Sequence, residues 1–465
     1  MHANLRSLFD PDAVAVIGAS DNPGKLGFHV MKSLTQGKFP GKILPINPGA
    51  PKIMGIDTLP DIRDYPGKID LAIIVLPAQL VYATFEQCIE KGVRGIVLIT
   101  AGFKEIEDPQ GAVLQESLAG LANRAHIPVI GPNTFGMINI HRSLNASFTP
   151  EFSLLAKGGV TLVSQSGGIS HLLAFMAMAQ GVGVSKIVGL GNRLNVDFAE
   201  VLAYLLEDPE TRVIVLYLEG LDDPRRLLAV AGENHGRKRI IAYKTGRAQA
   251  GDRASLSHTG SMAGKQEIYE GALRQAGIPL MDGAESLLDA ARVLDRCPLP
   301  RGPGIAILTG QAGPGMAACD VCELEGLTVP SFTSKTQGII HELLPPLALR
   351  TNPVDMGPAW YNASAIEGIV RAVATDEKVD GIILLMMFAS ANRDAVAGIT
   401  PLLLDWKQKK PVITCLVSPA GIWDEKVLSL EQAGAIVNFP TPERAALAMA
   451  SLWRCKQNMN GNGNG

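Results

Sequence analysis

His258 lies in a run of small residues, ASLSHTGSMAG (254–264), between a predicted strand and a predicted helix. A neutral imidazole nitrogen is a nucleophile that can attack phosphorus when an acceptor holds the other ring nitrogen. A lone histidine in a loop is usually just solvated. Here the flanking serine, threonine and glycine residues provide no bulky anchor, so the pattern favours a loop that can move.

Glu219 is the candidate partner of that histidine. It follows the apolar run VIVLYL (213–218), so we expect it at the carboxyl end of a buried strand, where the ligand sites of open α/β sheets form. The alternative is a helix N-terminal charge that interacts with the helix dipole, a role that Asp222 and Asp223 can also fill.

Two glycine-rich loops are candidate phosphate sites. SQSGG (164–168) and TGQAGPG (309–315) each follow an apolar strand and precede a predicted helix. Main-chain N–H groups at the start of a helix favour anions. The candidate phosphate-binding residues are Ser164, Gln165, Ser166, Gly167, Gly168, Gln311, Gly313 and Gly315. Taken alone, such a loop is also an ordinary turn.

A further loop, VIGASDNPGKLG (16–27), places Gly18, Gly24 and Gly27 between the first strand and the first helix. These glycines allow main-chain N–H groups to approach phosphates. The spacing is not G-x-G-x-x-G, and the second strand ends at Asn47 without the acidic residue that a nicotinamide cofactor requires. Lys25 adds a cation, which suits a phosphate-rich ligand such as CoA.

The elements that position these residues alternate between β-branched runs and helical patterns, which is typical of parallel doubly wound α/β sheets. We predict three consecutive doubly wound domains, over residues 1–131, 158–297 and 302–456. The second is expected to close with a helix near Ala284–Arg296. We expect a linker over 132–157 and a disordered tail over 457–465.

Composition excludes several classes of function. The chain has 465 residues, 47% of them hydrophobic, and a net charge of −3, which provides no basic field for nucleic acid and no polybasic membrane patch. The longest apolar runs are strand-length, and the first residues show no signal-peptide pattern. Six scattered cysteines indicate reduced thiols and a cytoplasmic protein. We expect no metal site, and Cys319 and Cys322 are interpreted as structural residues of a buried helix.

Six motifs occur in the order LFDPDAVAVIGAS, PGKLG, ILPINP, IVLPA, TAGFKE and GPNTFGMIN. They resemble the CoA-binding domain of the succinyl-CoA synthetase and ADP-forming acetyl-CoA synthetase superfamily, and residues 254–264 resemble its phosphohistidine loop. The resemblance implies a Rossmann-like CoA-binding domain followed by two flavodoxin-like domains. It assigns Gly18, Ser20, Lys25, Asn47 and Lys52 to the nucleotide end of CoA, and Pro77, Phe103 and Asn133 to the path toward the thioester. Lys52 is equally well explained as an ordinary surface lysine.

The same resemblance implies that His258 is phosphorylated, that Glu219 hydrogen-bonds it, and that the two glycine-rich loops face it. It also suggests site-shaping roles for Asn352 and Asp355 in TNPVDMG (351–357) and for Asp197.

The sequence contains no Walker A motif and no nucleotide-grasp pattern. The resemblance therefore implies a separate ATP-grasp β subunit that binds ADP or ATP with Mg²⁺, in a heterotetramer. It implies an ADP-forming acyl-CoA synthetase acting on a small carboxylate or acyl-CoA, with CoA as cofactor. The alternatives are a non-catalytic CoA-binding sensor or scaffold, a nicotinamide-dependent oxidoreductase and a CoA-dependent acyltransferase. A sensor has no need of His258, Glu219 and SQSGG together.

Overall fold

The computed structural model describes residues 5–248, 266–407 and 409–461, with side chains described as far as residue 459. The chain forms two compact units, and the division falls between Leu288 and Asp289. The helix Ala284–Arg296 is present as predicted, but it continues across this division. The predicted boundary at 297–302 therefore lies later in the chain than the observed one.

The first sheet is parallel, with the strand order β2-β1-β5-β6-β7. Its strands are β1 (Ala13–Ile17), β2 (Lys42–Ile46), β5 (Leu71–Ile74), β6 (Gly95–Leu98) and β7 (Val129–Ile130), and a hairpin of β3 (Lys52–Ile53) and β4 (Ile56–Asp57) follows β2. The helices are α1 (Arg6–Phe9), α2 (Leu26–Gln36), α3 (Ala78–Lys91) and α4 (Pro109–Arg124). Every residue of β1, β5, β6 and β7 is buried, because helices cover both faces of a parallel sheet.

The second sheet has the strand order β13-β12-β10-β11-β8-β9. Its strands are β8 (Gly136–Asn139), β9 (Leu144–Ser147), β10 (Lys157–Ser164), β11 (Val184–Gly189), β12 (Val213–Leu218) and β13 (Arg239–Lys244). Its helices are α5 (Gly167–Ala179), α6 (Phe198–Glu207), α7 (Pro224–Gly232), α8 (Gln266–Gln275) and α9 (Ala284–Arg296).

Strands β8 and β9 correct the prediction of a linker over residues 132–157. They form an antiparallel pair, and β8 extends the sheet by pairing with β11. Their polar residues suggested a loop, but these side chains are buried and satisfied. Asn139 Nδ2 donates to the carbonyl of Phe9 at 2.9 Å, and Ser147 Oγ donates to Asn145 Oδ1 at 2.6 Å. A strand with its polar side chains bonded internally lacks the alternating pattern on which sequence-based recognition depends.

The second unit contains a parallel sheet with the strand order β15-β14-β16-β17-β18. Its strands are β14 (Ile305–Thr309), β15 (Val354–Asp355), β16 (Gly381–Met387), β17 (Val412–Val417) and β18 (Val437–Asn438). Its helices are α10 (Ala312–Leu324), α11 (Ser334–Leu343), α12 (Ala363–Ala374), α13 (Ala395–Trp406), α14 (Asp424–Gln432) and α15 (Pro442–Gly461). The α/β fold class is confirmed. The tail prediction is wrong for 457–461, because α15 continues to Gly461, and the last four residues lie outside the described part.

Across the described residues, no helix combines the length and apolar character needed to cross a bilayer.

Candidate functional site

Two loops interlock where the first sheet meets the second. The loop after β7 and the loop after β11 exchange three main-chain hydrogen bonds, including Asn192 N–H to the carbonyl of Pro132 at 2.9 Å. Gly191 has a φ of +56°, and a Cβ there would lie 2.3 Å from the carbonyl oxygen of Pro132. Only glycine tolerates both this conformation and this contact. These two bonded loops, called the joint below, therefore hold the carboxyl ends of both sheets in one arrangement.

A cleft of about 380 Å³ opens beside this joint. Its lining residues are Leu26, Ile99, Ala101, Asn133, Thr134, Phe135, Phe148, Gln165, Gly167, Gly168, His171, Gly191 and Asn192. The cleft thus brings Asn133, predicted near the thioester, together with Gln165, Gly167 and Gly168, predicted to bind phosphate. The residues meet because both sets follow the carboxyl ends of parallel strands.

The side chain of Gln165 holds the main chain that carries Glu219. Gln165 Oε1 accepts the N–H of Glu219 at 2.6 Å and the N–H of Gly220 at 3.2 Å, and its Nε2 donates to the carbonyl of Gly220 at 2.8 Å. These bonds tie the side-chain amide to the loop of Glu219. The place of Gln165 in a phosphate site, predicted from the hydroxyls and free N–H groups of SQSGG, stays a prediction. Glu219 itself is buried, one residue past the end of β12.

The serine hydroxyls of the same loop form hydrogen bonds within residues 164–169. Ser164 Oγ donates to the carbonyl of Ser166 at 2.9 Å and accepts the N–H of Ser166 at 3.0 Å. Ser166 Oγ caps α5 by accepting the N–H of Ile169 at 3.4 Å. The candidate anion-binding groups are the main-chain N–H groups of Gly167 and Gly168, because the first N–H groups of a helix have no partner within it, and the Ser166 hydroxyl, whose bond to Ile169 uses its oxygen only as an acceptor.

The first glycine-rich loop is tightly built. Gly18 has a φ of +92°, and a Cβ on Gly27 would lie 2.0 Å from the carbonyl oxygen of Gly18, so the first strand and α2 approach closely. Asn47 Nδ2 donates to the carbonyl of Ala19 at 2.8 Å, and Ser20 Oγ accepts a main-chain N–H at 3.0 Å. Gly18, Ser20 and Asn47 therefore lie around one loop, and their contact with the nucleotide end of CoA stays a prediction.

The remaining residues predicted to bind CoA differ in exposure. Lys25 and Pro77 are exposed, directly before α2 and α3. Lys52 is exposed on the β3–β4 hairpin, where its Nζ lies 3.1 Å from Asp57, so a surface ion pair explains it equally well. The Phe103 ring is fully buried in the core of the first sheet. It is a packing residue, and the prediction that it lines a ligand path is wrong for its side chain.

His258 lies outside the described residues, but the chain on both sides of it is bonded next to Glu219. On the near side, Thr245 N–H donates to the carbonyl of Leu218 at 3.0 Å, directly after β13. On the far side, Tyr269 Oη on α8 accepts the N–H of Leu221 at 3.2 Å. Thr245 and Tyr269, which lie on either side of residues 249–265 in the sequence, therefore both contact the chain within two residues of Glu219.

In the second unit, the loop TGQAGPG (309–315) also contains a glutamine whose side chain bonds the end of a neighbouring strand. Gln311 Nε2 donates to the carbonyl of Met387 at 2.9 Å, and its Oε1 accepts the N–H of Met387 at 3.2 Å, so this amide also holds the end of a neighbouring strand. Gly313 has open space beside it, whereas a Cβ on Gly315 would lie 2.8 Å from the side chain of Thr309. Gly313 is the more accessible of the two predicted phosphate-binding glycines.

The TNPVDMG segment supports that loop. Asn352 Oδ1 accepts the N–H of Ile307 at 2.9 Å, and its Nδ2 donates to the carbonyl of Ile305 at 2.9 Å. Asp355 Oδ1 accepts the N–H of Gly357 at 3.0 Å. Asn352 thus positions strand β14 from the side, which agrees with a site-shaping role.

Family models match both sheets of the first unit. A model of a CoA-binding domain matches residues 12–140, and a model described as a succinyl-CoA ligase-like flavodoxin domain matches residues 157–294. The chain is 35% identical to the ADP-forming acetate–CoA ligase II subunit alpha of Pyrococcus furiosus, over 99% of this chain and 100% of that one. The chain belongs to the ADP-forming acyl-CoA ligase family. A solved structure of acetyl-coenzyme A synthetase 1 from Candidatus Korarchaeum cryptofilum, in complex with phosphate and ADP, superposes with a TM-score of 0.92. It is 32% identical, and the match covers 99% of this chain and 98% of that one.

Ligases of this family differ in chain length. The ADP-forming acetate–CoA ligase I of Archaeoglobus fulgidus is 36% identical over 97% of this chain, but the match covers only 63% of that protein. The chain therefore spans a whole subunit alpha from one relative and less than two thirds of another.

Sequence reasoning about this ligase missed Arg193. Its guanidinium is buried, with Nη1 donating to the carbonyl of Gly220 at 3.2 Å and Nη2 lying 2.9 Å from Asp222. Nη1 also lies 3.3 Å from Asp197, which caps α6 and so has the structural role suggested for it. Arg193 also has a φ of +59°, and that conformation leaves no signal in an isolated sequence.

Lys104 belongs to the same region. Burial lowers the pKa of its ammonium group, and the carboxylates of Asp222, Asp197 and Glu105 oppose that shift. A lysine and an arginine thus lie among carboxylates beside the loop of Glu219, and Arg193 is bonded directly to that loop.

Proposed function

We propose that this chain is the CoA-binding, phosphohistidine-bearing subunit of an ADP-forming acyl-CoA ligase. It interconverts acyl-CoA, ADP and phosphate with a carboxylate, CoA and ATP, and His258 carries the phosphoryl group. The observation that carries the proposal is the convergence on Glu219. Gln165 of the phosphate loop holds its main chain, and the chain on both sides of His258 is bonded next to it.

The first step takes place in the cleft between the two loops. CoA lies at the first glycine-rich loop, with its thioester near Asn133. A phosphate bound at the N–H groups of Gly167 and Gly168 attacks the thioester carbonyl through one oxygen, and the C–S bond breaks to release CoA as a thiolate, which is then protonated. The product is an acyl phosphate.

In the second step the neutral His258 ring attacks phosphorus, and the acyl carboxylate leaves. Glu219 accepts a hydrogen bond from the other ring nitrogen, which stabilises the positive charge that develops on the ring. His171 is not an alternative nucleophile in the cleft, because both of its nitrogens are engaged, with the carbonyl of Gly167 at 2.7 Å and the hydroxyl of Thr149 at 2.8 Å.

The third step transfers the phosphoryl group from His258 to ADP with Mg²⁺ on a partner. The relatives support a partner, since the Pyrococcus relative is named as a subunit alpha and the Archaeoglobus ligase contains sequence beyond the matched part. An ATP-grasp subunit that binds the nucleotide, in a heterotetramer with this chain, fits this division of roles. An enzyme that uses ADP and ATP in this way is expected in the cytoplasm, where these nucleotides are available.

The test is phosphorylation of the full chain by acetyl-CoA, or another acyl-CoA, and inorganic phosphate, followed by intact mass spectrometry. We expect one acid-labile phosphoryl group on the wild type and none on His258→Ala. His341→Gln, at an exposed position on α11, is the matched histidine control, and its chain is expected to be phosphorylated.

Phosphate on the His258→Ala chain would contradict the assignment of the carrier. A wild-type chain that binds CoA but stays unmodified with every acyl-CoA, even beside its partner, would favour a CoA-binding sensor.

A further inference from the structure

Lys104 lies in the loop TAGFKE (100–105), which follows β6 at the carboxyl end of the first sheet. Ala101 of the same loop lines the cleft of the candidate site, and the N–H of Asn133 donates to the carbonyl of Thr100 at 2.8 Å. The side chain of Lys104 is half-buried. The three phosphoryl-transfer steps leave this cation without a part, although its loop contributes to the cleft.

Hydrogen bonds connect the loop of Lys104 to the loop of Glu219. Asn192 Nδ2 donates to the carboxylate of Glu105, the residue that follows Lys104. Arg193, the next residue after Asn192, donates from Nη1 to the carbonyl of Gly220 at 3.2 Å. The turn that contains Asn192 and Arg193 is therefore bonded on one side to the loop of Lys104 and on the other to the loop that carries Glu219.

The ammonium group of Lys104 differs from the neighbouring guanidinium in its partners. Arg193 lies within 3.3 Å of both Asp197 and Asp222. Within residues 5–248, 266–407 and 409–459, the ammonium of Lys104 forms no hydrogen bond and no ion pair, and its main-chain N–H donates to Gln115 at 3.5 Å. Burial lowers the pKa of Lys104, and the charge of Asp222 opposes that shift. A half-buried ammonium gains most from an anion that approaches it, because it has already lost part of its hydration.

A phosphoryl group that is transferred beside Glu219 enters a region rich in carboxylates. Glu219 is buried, and Asp222 lies three residues further along the same loop. Like charges repel more strongly where water is partly excluded. The guanidinium of Arg193 offsets little of this repulsion, because Asp197 and Asp222 already balance its charge. Lys104 has no such partner in the described part of the chain, so its compact charge can act on phosphoryl oxygens.

We propose that the Lys104 ammonium is a phosphoryl-binding group of this site, which contacts the oxygens of inorganic phosphate and of the phosphoryl group on His258. The inference rests on the proposed function, because it takes Glu219 to hold His258. During transfer the neutral ring nitrogen of His258 forms a bond to phosphorus, and the bond from phosphorus to the acyl carboxylate breaks. Lys104 keeps its protons throughout and offsets the negative charge of the transferred group.

The test is phosphorylation of the full chain with acetyl-CoA, or with the acyl-CoA that phosphorylates the wild type best, at several concentrations of inorganic phosphate. Intact mass spectrometry gives the initial rate and the phosphorylated fraction at equilibrium. We expect Lys104→Gln to lower the rate about tenfold or more, the range for a lost hydrogen bond to a charged group. Lys104→Arg, which keeps the charge, should recover part of the rate.

Two measurements separate the sources of the phosphoryl group. A higher phosphate concentration at half-maximal rate reports contact with inorganic phosphate, and a lower phosphorylated fraction at equilibrium reports contact with the phosphoryl group on His258. Either change supports the role of Lys104. The matched control is Lys335→Gln, at an exposed position on α11, and it should change neither quantity. Lys104→Met keeps the apolar stem of the side chain and serves if the glutamine variant does not fold.

Calorimetric titration with CoA distinguishes this role from a contact with the phosphates of CoA. We expect Lys104→Gln to bind CoA as tightly as the wild type. Weaker CoA binding, with wild-type phosphorylation at saturating CoA, would overturn the proposal, and so would a glutamine variant that matches the wild type in every measurement. A wild-type chain that binds CoA but is never phosphorylated would contradict the proposed function itself, and the role of Lys104 would fall with it.

Discussion

Gln165 and Glu219 are 54 residues apart in the chain, yet the side-chain amide of the first accepts the main-chain N–H of the second at 2.6 Å. The bond joins the loop that follows β10 to the loop that follows β12, its neighbour in the sheet. The candidate phosphate site and the candidate histidine partner are therefore parts of one hydrogen-bonded unit.

Gln165→Ala should weaken the attachment of the loop after β10 to the loop after β12. The substitution leaves the buried N–H groups of Glu219 and Gly220 without their acceptor, which costs about 1–3 kcal/mol of unfolding free energy, whereas the Gly220 carbonyl keeps its bond from Arg193. We also expect His258 phosphorylation to slow about tenfold or more, since displacement of Glu219 disturbs the reacting geometry. Urea unfolding and the time course of the phosphoryl mass increase measure the two effects. Gln110→Ala, at an exposed position on α4, should change neither.

Arg193 supports the same loop from the other side. Arg193→Ala leaves Asp197 and Asp222 without their guanidinium, and Asp222 is half exposed, so water screens part of the loss. We expect a destabilisation of about 3 kcal/mol, the lower end for a broken buried pair. Arg193→Lys should recover only part of the lost stability, because one ammonium group cannot reproduce the several N–H donors of the planar guanidinium. Thermal denaturation compares both with Arg225→Ala, an exposed arginine of α7, and equal melting temperatures for all three would contradict this role.

Gly191→Ala tests the joint between the first two sheets. Its Cβ would meet carbonyl oxygens at 2.3 and 2.6 Å in a left-handed conformation, so we expect a loss of several kcal/mol or a failure to fold. The matched control is Gly271→Ala inside α8, where a Cβ meets nothing within 4 Å. There alanine should stabilise the helix by about 0.5–1 kcal/mol. Circular dichroism melts distinguish the two, and a tolerated Gly191→Ala would show that the joint can shift.

Two buried cysteines should make the free energy of unfolding depend on pH. Burial raises the pKa of Cys88 to about 12 from its ordinary value of 9.0, and the pKa of Cys322 likewise to about 12. Above pH 9 the unfolded chain loses these protons while the folded chain keeps them, so the folded state should lose stability as pH rises from about 9 toward 12. Urea midpoints at pH 8 and pH 10 check the sign.

Thiol labelling gives an independent measure of the same burial. Native Cys88 should react slowly with iodoacetamide at pH 8, whereas all six cysteines react in urea. Rapid native labelling of Cys88 would show that the helix opens readily. The interpretation of Cys319 and Cys322 as structural residues predicts no disulfide between them.

Sequence alone determined the α/β class, the glycine-rich loops at strand ends and the family resemblance, because strand and helix periods and short motifs are local properties of the chain. It also placed Glu219 at the end of a buried strand. Each motif for CoA or phosphate is one short continuous segment, so its residue types and spacing were sufficient to find it.

Tertiary structure decided which atoms of those motifs are available. The Gln165 side-chain amide is bonded to Glu219 and Gly220, and the Phe103 ring, predicted to line a ligand path, is buried in a core. Arg193 and His171 acquire their roles through partners far along the chain or through ring packing, which no local pattern encodes. A hydrogen bond between distant residues depends on where the sheets place their strand ends, and only the folded chain determines that distance.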